Sequence, residues 1–136
     1  MCILGSYITV TSNIGQVGDQ VTLFSPMKTF EQNTWVTFWY HMMINDDDKT
    51  AALTVYTYSQ LHVYETRLTE IRGNHGSGWN YGNVCVPKGT HQVAFVATHG
   101  PQFLSDIAVD EIRQYTFQCS RRVTKEGKYF TDTSRK

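Results

Sequence analysis

Apolar and polar positions alternate with a period of two along most of this chain, the spacing of a pleated strand rather than of a helix. Over residues 34–42, Val36, Phe38, Tyr40 and Met42 alternate with Trp35, Thr37, Trp39 and His41. Both sets are bulky, so this run reads as a strand covered on both faces. Residues 51–58 set Leu53 and Val55 against Thr54, Tyr56 and Tyr58, and residues 91–98 place Val93, Phe95 and Ala97 on one side. The same pattern predicts strands at 4–11, 20–24, 61–68, 83–86, 106–112 and 115–119. β-Branched and aromatic residues fill these runs, as a half-buried pleated surface favours. Turn chemistry fills the gaps: Asn13 and Gly15, Gly18-Asp19, Asn45 to Asp48, Pro87-Lys88-Gly89, and His99-Gly100-Pro101. Many short strands separated by turns predict an all-β antiparallel sandwich or barrel.

The pattern stops after Cys119. Residues 120–136 carry Arg121, Arg122, Lys125, Lys128, Arg135 and Lys136 among few apolar positions, which reads as a polar linker or disordered tail behind a domain spanning 1–119. The total of 136 residues suits one domain with a core of its own. Charge then narrows the function. Twelve Lys+Arg against twelve Asp+Glu give a formal net charge of zero, without the basic footprint of a nucleic-acid binder. With 18% charged and 13% aromatic residues the composition is also wrong for disorder. No apolar run is long enough to span a bilayer. Met1-Cys2-Ile3-Leu4 lacks a basic lead, and Gly5, Ser6, Tyr7 and Thr9 interrupt it, so no signal peptide is read there. Cys2, Cys85 and Cys119 are odd in number and none sits in a Cys-x-x-Cys spacing, which leaves the redox compartment open.

Candidate chemistry is sparse. His41, His62, His75, His91 and His99 have no close ligand spacing, and His41 reads as a hydrogen-bonded packing residue. The run from Gly73 to Gly78 lacks the Lys-Ser/Thr and the helix of a phosphate loop, and reads as a long hairpin loop before Trp79. Asp46, Asp47 and Asp48 lack the EF-hand spacing and its closing Glu, and read as a solvated loop tip. Asp106 and Asp110 alternate with Ala108 and Ile112. Facing inward they need a partner or a metal; in the opposite register Ile107 and Val109 face inward and both acids meet water. A glycosidase pair would take Asp110 or Glu111 with Glu65 or Glu70. No nucleophile motif such as Gly-x-Ser-x-Gly is present, so the chain is read as non-catalytic.

Particular residues say more. In chain order these are Gly5 to Val10, Gly18-Asp19, Leu23-Phe24-Ser25-Pro26, Phe38-Trp39-Tyr40-His41-Met42 and Leu53-Thr54-Val55-Tyr56. Leu68, Gly73, Gly78-Trp79, Val84-Cys85-Val86, His91 to Phe95, Gly100, Asp106 to Ile112 and Cys119 follow. This ordered set, over about residues 5 to 119, resembles a MAM domain, the module named for meprin, the neuropilin A5 antigen and receptor protein-tyrosine phosphatase mu. The resemblance implies a jelly-roll β-sandwich. It also implies a non-catalytic extracellular adhesion module of a larger membrane or secreted protein, acting on protein partners or by self-association. Nucleic acid and membrane insertion are not expected of it.

Some members of that family hold calcium near the last long strand. Asp110 matches the second acid of the family's Asp-Ile-Ala-x-Asp segment and Asp106 the first, which makes both candidate calcium ligands by resemblance. Cys119 stands where the family's closing cysteine falls. Its usual partner position, just before the Phe-Trp-Tyr strand, reads Thr34-Trp35, so Cys2 and Cys85 are the alternative partners. The family's opening portion has no counterpart here, so the domain is expected to be short at its front, which accounts for the missing signal peptide. A second reading is a jelly-roll carbohydrate-binding module in which Trp39, Tyr56, Tyr58 or Tyr64 stack on sugar rings.

Overall fold

The two-residue alternation resolves into two antiparallel sheets packed face to face. The computed structural model describes residues 8–10, 18–44, 51–59, 64–100, 106–123 and 129–131. Its strands are β1 (Ile8–Val10), β2 (Gln20–Phe24), β3 (Lys28–Phe30), β4 (Thr34–Met43), β5 (Ala52–Tyr58) and β6 (Tyr64–Arg72). They continue as β7 (Asn80–Val86), β8 (Gly89–Thr98), β9 (Asp106–Gln118), β10 (Arg121–Val123) and β11 (Tyr129–Thr131). One sheet runs β1-β9-β4-β7. The other runs β2-β8-β5-β6, with β3 continuing along β8 where β2 stops. Among these nine strands only β2–β3 and β5–β6 follow each other within one sheet, and every other step changes sheet, as a jelly roll requires.

Alternation on each strand supplies the core. Val36, Phe38, Tyr40 and Met42 of β4, with Val84 and Val86 of β7, meet Leu53, Val55, Val93 and Phe95 from the other sheet. Phe38 is fully buried, and its ring stands edge-on to Phe95 across the sandwich at 5.1 Å. Its neighbour in register on β7 is Gly82, where a Cβ would lie 2.5 Å from the Phe38 ring. The glycine is what lets the aromatic ring fill that layer. Thr57, a buried polar residue on β5, is satisfied at a break in the β5–β6 register, where its Oγ1 accepts the Thr66 N–H at 3.1 Å.

β9 is a single thirteen-residue strand where the sequence predicts two. The pairing of β9 with β4 slips at two places, and Glu111 takes the left-handed φ of 48°. Such a bulge inserts residues without ending the strand. Ile107 and Val109 lie in the core before it, and Ile112 packs against the core after it. The Asp110 carboxylate accepts the Glu111 N–H at 2.7 Å and so supplies a partner to the bulged amide.

Cys85 and Cys119 form a disulfide with Cα atoms 5.8 Å apart, which selects Cys85 from the two partners left open by the sequence; Cys2 lies outside the described residues. The bond runs past the start of β4, where Trp35 pairs with Cys85 and the Cys119 N–H reaches Asn33 O at 3.1 Å. Residues 73–78 are not a hairpin loop: they carry the chain from β6 in one sheet to β7 in the other. Asn74 Oδ1 there accepts from the Ile44 and Gly76 amides, and His75 N–H donates to Met42 O. Within the segment expected to be a linker or tail, β10 and β11 pair as a short antiparallel ribbon.

Candidate functional site

The side chains that β4 does not send into the core build the exposed face of the β1-β9-β4-β7 sheet. Trp39 lies in register between Tyr81 of β7 and Asp110 of β9. Its ring meets Tyr81 edge-on at 5.3 Å, a cross-strand aromatic pair. Two residues on, His41 meets the ring of Trp79 at 5.7 Å, and its Nε2 lies 3.1 Å from Ser77 O, so it holds the crossing loop against the sheet. Met43 continues the row. Trp39, Met43, Trp79 and Tyr81 are 37%, 46%, 42% and 52% exposed; among the described residues Val21, Phe24, Met27 and Phe117 are also exposed, the first three on or next to β2 of the other sheet. Half-buried Asp110 borders Trp39.

Asp110 therefore faces away from the core beside Trp39, in the register that places Ile107 and Val109 inside. Asp106 opens β9 opposite Met43, and its side chain lies outside the described residues. Four residues of extended strand put the two Cα atoms about 13 Å apart. Among the described residues no three His, Cys, Asp or Glu side chains gather as a metal site. Asp46, Asp47, Asp48 and His62 lie outside the described residues.

Of the carboxylates considered for glycoside chemistry, Glu70 does not converge with Asp110 or Glu111. Glu70 sits on β6 in the other sheet, bonded to Arg72 at 2.7 Å and to Arg67 at 3.4 Å, while Asp110 and Glu111 lie on β9. The Glu65 side chain lies outside the described residues. The aromatic residues of the sugar-stacking reading also separate. Trp39 stands on one sheet, whereas Tyr56 and Tyr58 are half-buried on the opposite one, Tyr58 against Phe24 at 4.9 Å. The Tyr64 side chain is outside the described residues. Of the histidines, His91 is buried against Phe30 at 5.3 Å, His75 meets Tyr40 edge-on, and His99 is buried with its N–H bonded to Asp19 O. Burial raises the Tyr40 hydroxyl above its ordinary pKa of 10.0.

Trp79 and Tyr81 were not singled out as surface residues by sequence. The signal is present in hindsight: on β7, Gly82, Val84 and Val86 alternate inward, so Tyr81 must point out. What sequence lacks is the pairing that brings residue 81 beside residue 39.

The family described as "MAM domain, meprin/A5/mu" matches residues 3–120. The chain is 29% identical over 128 residues to the human "MAM domain-containing glycosylphosphatidylinositol anchor protein 1", covering 91% of this chain and 13% of that protein. The Gallus gallus protein of the same name is 26% identical over 121 residues, covering 87% of this chain and 12% of that one. The chain thus spans about an eighth of the length of these relatives. In fold it is similar to the K3 cleaved adhesin domain of Lys-gingipain from Porphyromonas gingivalis, with TM-score 0.60, 19% identity, and 80% and 72% of the two chains covered. The K1 cleaved adhesin domain gives TM-score 0.59, 21% identity, and coverage of 82% and 73%.

Proposed function

Since the chain belongs to the MAM domain family, meprin/A5/mu, we propose that it is a non-catalytic adhesion module on the extracellular side of a larger membrane-attached or secreted protein. Its contact surface is the exposed face around Trp39, Met43, Trp79 and Tyr81, and its partner is a protein. The observation that carries this reading is the exposed cross-strand pair Trp39–Tyr81, with Trp79 against His41 on the same strand as Trp39. Isolated exposed apolar residues are ordinary, but a contiguous patch marks a contact surface. Trp, Tyr and Met are also the residue types enriched at protein interfaces, and Trp and Tyr dominate their binding energy. The Cys85–Cys119 disulfide suits an oxidising compartment, and the relatives are named as glycosylphosphatidylinositol anchor proteins.

Beads coated with the whole chain test the reading. Coated beads are expected to aggregate with one another or to bind cells, and W39A/Y81A is expected to reduce that capture by tenfold or more with the melting temperature nearly unchanged. Full capture by the double variant moves the contact surface elsewhere. Specific glycan-array binding by the native chain, lost in W39A/Y81A, replaces the protein partner by a carbohydrate.

A further inference from the structure

Along one side of the sandwich the two sheets part around a cavity of about 460 Å³. Two strand irregularities face each other there. On one side the chain breaks pairing between β2 and β3 at Ser25-Pro26-Met27, and on the other β9 contributes Ile112, Arg113 and Gln114, just past its bulge at Glu111. The floor is core: Phe30, Val36, Val93 and Phe95 are each 4% exposed and line it. Protein interiors are otherwise close-packed, and a concave apolar space of a few hundred Å³ bordered by a few polar groups is the usual form of a small-molecule site.

The charge at its mouth is of one sign. Among the described residues Lys28 and Arg113 line the cavity and no acidic side chain does. The Lys28 ammonium donates to Gln114 Oε1, tying the two sheets together across the opening, and it keeps further N–H donors beyond that bond. Arg113 has Glu111 at 3.9 Å, with both side chains at least half exposed, a pairing that holds the guanidinium weakly. An anionic head at the mouth would replace the neutral amide acceptor with a charge-assisted one.

We propose that this cavity binds a single-chain amphiphile with an anionic head, its hydrocarbon tail lying over Phe30, Val93 and Phe95 and its head between Lys28 and Arg113. The site is separate from the exposed aromatic face, so its test does not depend on the adhesion reading. Isothermal titration of the intact chain with dodecanoate, below its micellar concentration, is the test. Dodecyltrimethylammonium carries the same tail with the opposite charge, acetate has the head without the tail, and a lysophosphatidate tells a lipid phosphate from a free carboxylate.

Saturable one-to-one binding of dodecanoate or of the lysophosphatidate is expected, at least tenfold tighter than dodecyltrimethylammonium and with no detectable acetate binding. The surface double variant K28Q/R113Q is expected to fold, by circular dichroism and melting, and to lose about tenfold for either anion while leaving the cationic amphiphile unchanged. L23W, which narrows the cavity from its half-buried wall, is expected to weaken all tails alike. Any of three results overturns the proposal: no saturable binding, equal affinity for both head charges, or unchanged anion binding in K28Q/R113Q. Sedimentation showing that a second copy of the chain fills the cavity overturns it as well.

Discussion

β4 carries two rows of large side chains, and one backbone sends them to opposite fates. Val36, Phe38, Tyr40 and Met42 are all at most 8% exposed and lock the sandwich. Trp39 and Met43 keep more than a third of their surface in water, beside Tyr81 of the neighbouring strand. The rows do not differ in bulk or aromatic content. They differ because the second sheet covers only one of them. The inner row is therefore read as stability and the outer row as contact, and the division is open to direct attack.

The hardest blow to the inner row is F38A, which deletes a fully buried ring that Phe95 and Gly82 are shaped around. It is expected to cost about 3–5 kcal/mol in a urea melt, a large share of a domain's usual margin. A loss below about 1 kcal/mol would refute the assignment of that row. Next, C85S/C119S removes a link across a sequence separation of 34 and is expected to cost about 2–4 kcal/mol. This one sharpens the comparison, since Cys85 belongs to the outward alternation of β7 with Tyr81, yet it is fully buried and its role is structural. G82A adds one methyl where the Phe38 ring already stands, and is expected to lower stability by about 1–3 kcal/mol through overpacking.

On the outer row, W39A is expected to change stability by no more than about 1.5 kcal/mol, the scale of an aromatic pair, while it impairs bead capture. The smallest effect is a matter of pH. Tyr40 has its pKa raised by burial, so above about pH 10 the unfolded chain releases that proton before the folded one does. Its contribution is complete below the ordinary tyrosine pKa and is lost as pH rises towards the folded value. Y40F should flatten that alkaline decline in a pH series of melts.

Much of this was legible in the chain. β2 and the inward sets on β4, β5 and β8 fall where alternation puts them, because each has enough repeats to show its period. β3 does not, since three residues after Pro26 offer too few alternations. The faces of β9 stayed ambiguous because Ala108 and Ile112 are as apolar as Ile107 and Val109. A bulge at Glu111 then let Ile107, Val109 and Ile112 reach the same core, which no strict period of two permits. The proposed contact surface was half legible. Trp39 was legible as a surface aromatic only in the sugar-stacking reading with Tyr56, Tyr58 and Tyr64, and its partners depend on a β4–β7 pairing that joins residues some forty apart in sequence.

The cystine at Cys85 and Cys119 bears on how such a module carries load. β9 is held to β4 by a ladder of hydrogen bonds, and a pull from residues beyond Cys119 would open that ladder rung by rung from its Gln118 end. The disulfide stands at that end. Tension entering there meets a covalent bond first and passes into β7, on the far flank of β4, so three strands share the force instead of one peeling away. Under a pull from that side, this turns an unzipping geometry into a shared tether.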